Sequence, residues 1–298
     1  MLDSYCFIIN PNSGARRDAS TLADAVRTAF ASCARLKIEF TQRQGHAAEL
    51  AKTAVSEKFA AVVVAGGDGT LNEVLPAFCG TETALGLIAK GSGNGFAREF
   101  GLPLRPKAAV TALVDYLPRK IDLGKVNGEY FANVAGIGLD AMIGRAFNVF
   151  GKKGPRGKLP YYYLGLKELL AYKPPQVELR CAGRTLKAAP MCLAFANGRQ
   201  FGGGAIIAPS AKPDDGMLHV VLVENMSAYR TALNLTALFS GKIDKVSGVT
   251  TLLAEQAEVV SGDELVYHLD GEPRVSKTGL KVEIIRHAIS FLAPPHKN

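Results

Sequence analysis

Residues 61–76 read AVVVAGGDGTLNEVLP: an unbroken apolar run, Gly66 and Gly67, Asp68 set before Gly69, then Thr70, Leu71, Asn72 and Glu73. The apolar run has the pattern of a buried strand, and the residues from about Thr70 have that of a helix, so the glycines and Asp68 fall on the connection. Ligands of a parallel sheet bind beyond the carboxyl ends of its strands, and that is where this connection lies. Gly66 and Gly67 let a backbone approach phosphates closely, while a helix starting near Thr70 turns its free N–H groups to the same spot. A carboxylate there repels phosphate unless it binds magnesium, directly or through water, or meets a hydroxyl group. The plainer alternative makes Asp68 a cap on the next helix, which leaves three glycines unexplained.

Working outward, strand-like and helical segments alternate through the first half. YCFIIN (5–10), LKIEFT (36–41) and ALGLIA (84–89) read as strands, and residues 18–34, 46–59 and 106–117 carry helical patterns. Continuous apolar strands alternating with helices indicate a parallel sheet covered on both faces. From about Lys120 the texture changes to alternating or apolar runs between glycine-rich turns, as in QVELRCAG (176–183), GMLHVVLVE (216–224) and LVYHLDGEPR (265–274). Helical patterns interrupt this β-rich half near 159–172 and 227–242.

Composition narrows the chemistry. The 298 residues, 48% hydrophobic, suffice for two domains with sizeable cores. Five scattered cysteines (Cys6, Cys33, Cys79, Cys181, Cys192) encode neither a disulfide framework nor a zinc site, which fits a reducing cytoplasm. The start of the chain lacks the pattern of a signal peptide, and no apolar stretch reaches the length of a membrane span. Lysine and arginine number 35 against 27 acidic residues, a net charge of +8 that favours anionic partners. The histidines (His46, His219, His268, His287, His296) show no metal-ligand spacing. A Walker A loop is absent, and GIGLDA (136–141) lacks the acidic residue some 20 positions on that a dinucleotide fold requires.

GGDGTLNEV resembles the nucleotide signature of the diacylglycerol kinase catalytic-domain family, bacterial lipid kinases related to sphingosine kinases and more distantly to NAD kinases. The resemblance runs nearly the whole chain in order: IINPNSG (8–14), TQRQGHA (41–47), LGLIAKGSGNGFAREFGLP (85–103), IDLGKVNG (121–128), FANVAGIGLDA (131–141), KLPYYYLGL (158–166), APSAKPDDGMLHVVLV (208–223) and HLDGEP (268–273). It implies an NAD kinase-like α/β domain over residues 1–124 and a mainly β-sandwich lipid-substrate domain over 125–298. The nucleotide cleft would lie between them, and the last residues would return to the first domain.

The resemblance also implies roles. Asn10, Ser13 and Gly14, in a polar loop after the first strand, suit phosphate oxygens. Thr41 would bind the nucleotide through its hydroxyl, Gly66 to Glu73 would wrap the phosphates with Glu73 reaching the ribose, and Ser92 of GSGN would add a further contact. Gly95 stands where the family usually has aspartate, which removes one polar contact. In AKPDDGML (211–218) a polar hairpin turn is the simpler reading of the residues, but the resemblance implies magnesium held by Asp215 and the carbonyls of Lys212 and Met217, reaching the catalytic region through carboxylates such as Asp122. For HLDGEP, the Asp-Gly pair is good hairpin chemistry in which Glu272 points to solvent. The family's proton acceptor falls on Glu272, with Asp270 assisting.

The expected activity is ATP-dependent phosphorylation of a hydroxyl of diacylglycerol or a related lipid, with ATP and magnesium as cofactors and Asp68, Asp270 and Glu272 catalytic. A noncatalytic lipid- or nucleotide-binding protein on the same scaffold is the alternative, with NAD kinase a lesser one. The partners implied are ATP and a lipid met at a membrane surface by a cytoplasmic, peripherally associated protein; nucleic acid is not among them, and a homodimer stays open. GKKGPRGK (151–158), followed by Tyr161, Tyr162 and Tyr163, is the densest basic stretch; a solvated loop is its simpler reading, and contact with anionic headgroups the functional one.

Overall fold

The computed structural model describes residues 2–14, 18–138, 172–227, 230 and 236–295. The basic stretch at 151–158, the tyrosines behind it and the helical pattern at 159–171 lie outside them. The chain divides into two compact units, Met1–Leu123 with Gly202–Gly204 and Ile285–Asn298, and Gly124–Phe201 with Ala205–Ile284.

The first unit is α/β. Its strands β1 (Ser4–Ile9), β2 (Arg35–Phe40), β3 (Ala61–Gly66) and β4 (Ala84–Ala89) alternate with helices α1 (Asp18–Ala29), α2 (His46–Ser56), α3 (Asp68–Val74), α4 (Gly95–Glu99) and α5 (Pro106–Leu113). The strands pair in parallel in the order β2-β1-β3-β4. Every residue of β3 and β4 is buried, as continuous apolar runs in a doubly covered sheet require. β2, at the sheet edge, is only half-buried, and Lys37 and Glu39 sit within it. α3 starts two residues earlier than the sequence pattern suggests, because Gly67 is its extended N-cap and Asp68 its first residue.

The strand β5 (Leu117–Val126) ends in the second unit, which continues through β6 (Glu129–Phe131), β7 (Val134–Gly138), β8 (Val177–Cys181), β9 (Arg184–Ala188) and β10 (Pro190–Ala196). The short pair β11 (Gln200–Gly202) and β12 (Ala205–Ile206) follows, then β13 (Leu218–Glu224), β14 (Val249–Ala254), β15 (Gln256–Val260), β16 (Leu265–Leu269), β17 (Glu272–Ser276) and β18 (Leu280–Ala293). One sheet runs β14-β13-β10-β7-β16-β17, antiparallel throughout. Facing it, the first part of β18 pairs with β15, β15 with β8, and β8 with β9. Ile137, Leu193, Phe195, Val220 and Leu269 from the first layer share one core with Leu179, Val259, Leu280 and Val282 from the second. This is a β-sandwich, as expected. The far end of β18 lies in the first unit, where Ser290 and Phe291 pair in parallel with Ala84 and Leu85 of β4.

Candidate active site

The loops that follow β1, β2, β3 and β4 gather at the carboxyl edge of the first unit's sheet, where α/β sheets place ligands. Two of them interlock backbone against backbone. A Cβ on Gly67 would lie 3.1 Å from the Gly91 Cα, and one on Gly91 would lie 2.8 Å from the Gly67 Cα and 2.9 Å from Asn94 Oδ1. A Cβ on Gly66 would meet the Thr70 side chain at 2.6 Å. These glycines therefore have a packing reason of their own: any side chain would force the two loops apart.

Asp68 locks the pair. Its Oδ2 accepts the Gly95 N–H at 3.1 Å and its Oδ1 the Phe96 N–H at 3.3 Å, so the carboxylate sits on the first turn of α4. Asn94 holds the other side in a left-handed conformation (φ 48), with Oδ1 accepting the Gly91 N–H and Nδ2 donating to the Gly91 carbonyl, both at 2.8 Å. Asp68 is thus a cap, but on α4 across the loop and not on its own helix. Gly95, where the family's usual aspartate is missing, meets Asp68 through its backbone alone.

The other expected nucleotide residues differ in how far the chain itself engages their side chains. Asn10 Nδ2 donates to Thr70 Oγ1 at 3.2 Å, while its Oδ1 accepts the Asn12 N–H at 2.9 Å and shapes the turn leading to Ser13 and Gly14. Gly14 has φ +70, and a Cβ there would lie 3.1 Å from the Lys90 carbonyl. Thr41, buried at the end of β2, donates its N–H to the Ile9 carbonyl. Ser92 is exposed. Leu71 is a core residue, so only its backbone can serve a ligand. Glu73 Oε1 accepts the N–H groups of Ala47 and Ala48 at 3.0 and 3.3 Å and caps α2, so one of its carboxylate oxygens is engaged within the chain. A carboxylate at a helix N-terminus is favourably placed by both hydrogen bonding and dipole. Asp122, 1% exposed, accepts the His287 N–H at 2.7 Å and anchors the last part of β18.

In the second unit, Leu269 and Glu272 are paired across a two-residue turn in which Asp270 (φ 49) and Gly271 (φ 87) are both left-handed. Asp270 is fully engaged, accepting the N–H groups of Ala132, Asn133 and Val134 at 2.7, 2.8 and 3.1 Å. Glu272, next to it, is exposed and its carboxylate has no hydrogen bond or ion pair among the described residues. The turn accounts for Asp270 and Gly271, and leaves the Glu272 carboxylate exposed beside it.

Two residues that the sequence pattern did not single out build this region. Asn197 donates through Nδ2 to the Ala132 carbonyl at 2.8 Å, and the Asn133 carbonyl accepts the Asn197 and Gly198 N–H groups. Asn133 Nδ2 donates to the Gln200 carbonyl. The signal is the tripeptide Phe-Ala-Asn, present at 131–133 and again at 195–197, each time with a buried asparagine.

The expected magnesium loop is arranged as a self-satisfied turn. Asp215 Oδ2 accepts the Lys212 N–H at 3.1 Å and faces His219 Nε2 at 3.1 Å, while Oδ1 accepts the Met217 N–H at 3.0 Å. The Lys212 carbonyl, an expected ligand, accepts the Asp215 N–H at 3.2 Å. Three of the four lone pairs of the carboxylate are thus occupied from within the chain, which leaves one for a cation.

The sequence and the fold agree with those of known proteins. The diacylglycerol kinase catalytic domain family matches residues 4–126, and the C-terminal NAD kinase β-sandwich-like domain of the YegS type matches residues 133–293. A diacylglycerol kinase of Mycobacterium tuberculosis strain H37Rv is 33% identical over 286 residues, covering 91% of each chain. A protein of Pseudomonas aeruginosa strain PAO1 named as a probable YegS-like lipid kinase is 32% identical, covering 88% of this chain and 89% of its own. A crystal structure of a Bacillus anthracis diacylglycerol kinase superposes with a TM-score of 0.76 at 21% identity, covering 99% of this chain and 98% of that one, and so shares the fold. The chain belongs to the diacylglycerol kinase catalytic-domain family. It is a lipid kinase, and ATP is the phosphate donor that membership implies.

Proposed function

We propose that this enzyme transfers the γ-phosphoryl group of ATP to a hydroxyl of diacylglycerol or a closely related lipid. The observation that carries the reading is the interlocked loop pair after β3 and β4, closed by Asp68 on α4, at the sheet edge where nucleotides bind. Backbone N–H groups of residues 67–70 and the polar groups of Asn10, Ser13, Thr41, Thr70, Asn72 and Ser92 bind the nucleotide. Asp68 keeps their spacing. Magnesium enters with ATP as its counter-ion.

Glu272 acts as the base. A lipid hydroxyl is a weak nucleophile, and a carboxylate free of other partners accepts its proton as the new O–P bond forms and the bond to ADP breaks. Asp270 acts through its turn, holding Glu272 and the 132–134 segment in register. With a net charge of +8, the protein reaches its lipid by visiting an anionic membrane surface; among the described residues no helix is long and apolar enough to cross a membrane. Radiolabelled ATP offered with a panel containing diacylglycerol, phosphatidylglycerol, a sphingoid base and NAD tests the proposal. Label in a lipid product supports it. Label in NAD alone overturns it.

A further inference from the structure

The loop preceding β13 and the start of that strand contain a line of three side chains in contact that the kinase reading does not use. Ser210 Oγ lies 3.4 Å from His219 Nδ1, and His219 Nε2 lies 3.1 Å from Asp215 Oδ2. His219 is 4% exposed and fixed by its strand, opposite Ala196 of β10 on one side and Leu253 of β14 on the other. A buried imidazole requires partners for both nitrogens. The tautomer with its proton on Nε2 meets that requirement, donating to Asp215 and accepting the Ser210 hydroxyl at Nδ1.

From this arrangement we infer that His219, braced by Ser210, takes the place of a cation in the 208–217 loop, so that the loop is ordered without magnesium. The same role, satisfying Asp215 Oδ2 and tying the loop to the sheet, falls to a hydrogen-bond donor that is part of the chain. Asp215 Oδ2 carries both the His219 contact and the Lys212 N–H, so an ion would have to displace a buried side chain to reach it. His219 is a positioning residue: it acts on the loop through Asp215. The inference does not rest on the identity of the lipid or on the assignment of the base.

The test is thermal melting of the full chain without nucleotide, in EDTA and in millimolar magnesium chloride. The wild-type midpoint should be the same in both within about 1 °C. His219→Asp should melt about 3–8 °C lower in EDTA, because a donor becomes a second acceptor facing Asp215, and magnesium should restore most of the loss. Ser210→Ala, which leaves the contact between His219 and Asp215 in place, should cost about 1–3 °C and stay indifferent to magnesium. Should His219→Asp fail to fold, wild type against Asp215→Ala decides. A magnesium-dependent gain in wild type that Asp215→Ala abolishes overturns the inference, as does a folded His219→Asp with no magnesium response. An equal gain in wild type and Asp215→Ala reports a cation bound elsewhere and upholds it.

Discussion

Replacing Asp68 by asparagine leaves the shape of the side chain nearly unchanged and alters what its two terminal atoms can do. In the native loop both are acceptors, one for the Gly95 N–H and one for the Phe96 N–H. Asparagine supplies one acceptor and one NH2 group, so one backbone donor at the start of α4 meets another donor. A hydrogen bond to a charged group contributes about 1.5–3 kcal/mol net, and an unsatisfied buried donor costs about 1–3 kcal/mol. Asp68 is half-buried, so water compensates in part, and a loss of about 1–2 kcal/mol is expected. At about 2–4 °C per kcal/mol for a domain of this size, the melting midpoint should fall by about 2–8 °C. Hydrogen exchange should localise the damage: the Gly95 and Phe96 amides lose protection while the β3 and β4 amides keep theirs. Phosphoryl transfer should fall to near zero, since the loops no longer hold the nucleotide-facing N–H groups in place. A variant with the parental midpoint, parental exchange at residues 95 and 96 and parental turnover would refute both the lock and its proposed role.

Glu272→Gln should leave the melting midpoint unchanged, because its carboxylate has no described partner, while kcat falls by about 10²–10⁴ with ATP affinity retained; full kcat in steady-state assays would place the base elsewhere. Asp270→Ala frees three N–H groups at once and should cost about 2–5 kcal/mol by denaturant unfolding, a structural loss that Glu272→Gln does not share. Burial pushes the Cys6 thiol up to about 11, so in the native protein it should resist alkylation at pH 8. Its folded value lies above its unfolded one, so the stability it contributes is complete below about pH 9 and is lost as pH rises towards 11, which a pH series of melting curves can follow. Activity on diacylglycerol vesicles should rise with anionic lipid and fall with added salt; indifference to both would refute the surface-visiting model.

Local pattern alone was enough for the class of each half. Apolar runs such as 61–66 and 84–89 have the length and pattern of strands buried on both faces, and the switch near Lys120 to short β runs marks a mainly β second half, because strand and helix periods are local properties of the chain; the sandwich was implied only by the family resemblance. GGDGT and LDGEP were likewise visible as places where carboxylates stand among glycines. What the sequence left open was the partner of each carboxylate, since hydrogen bonds join residues far apart in the chain. Asp68 reaches Gly95 and Phe96, Glu73 caps α2, and Asp270 grips residues 132–134, none of which spacing could reveal. The same holds for the glycines: Gly67 and Gly91 are required by each other, a contact of two backbones that exists only when β3 and β4 are paired. Asp215 shows the point most sharply. The family resemblance implies a cation there, but the folded strand brings a buried histidine to its Oδ2.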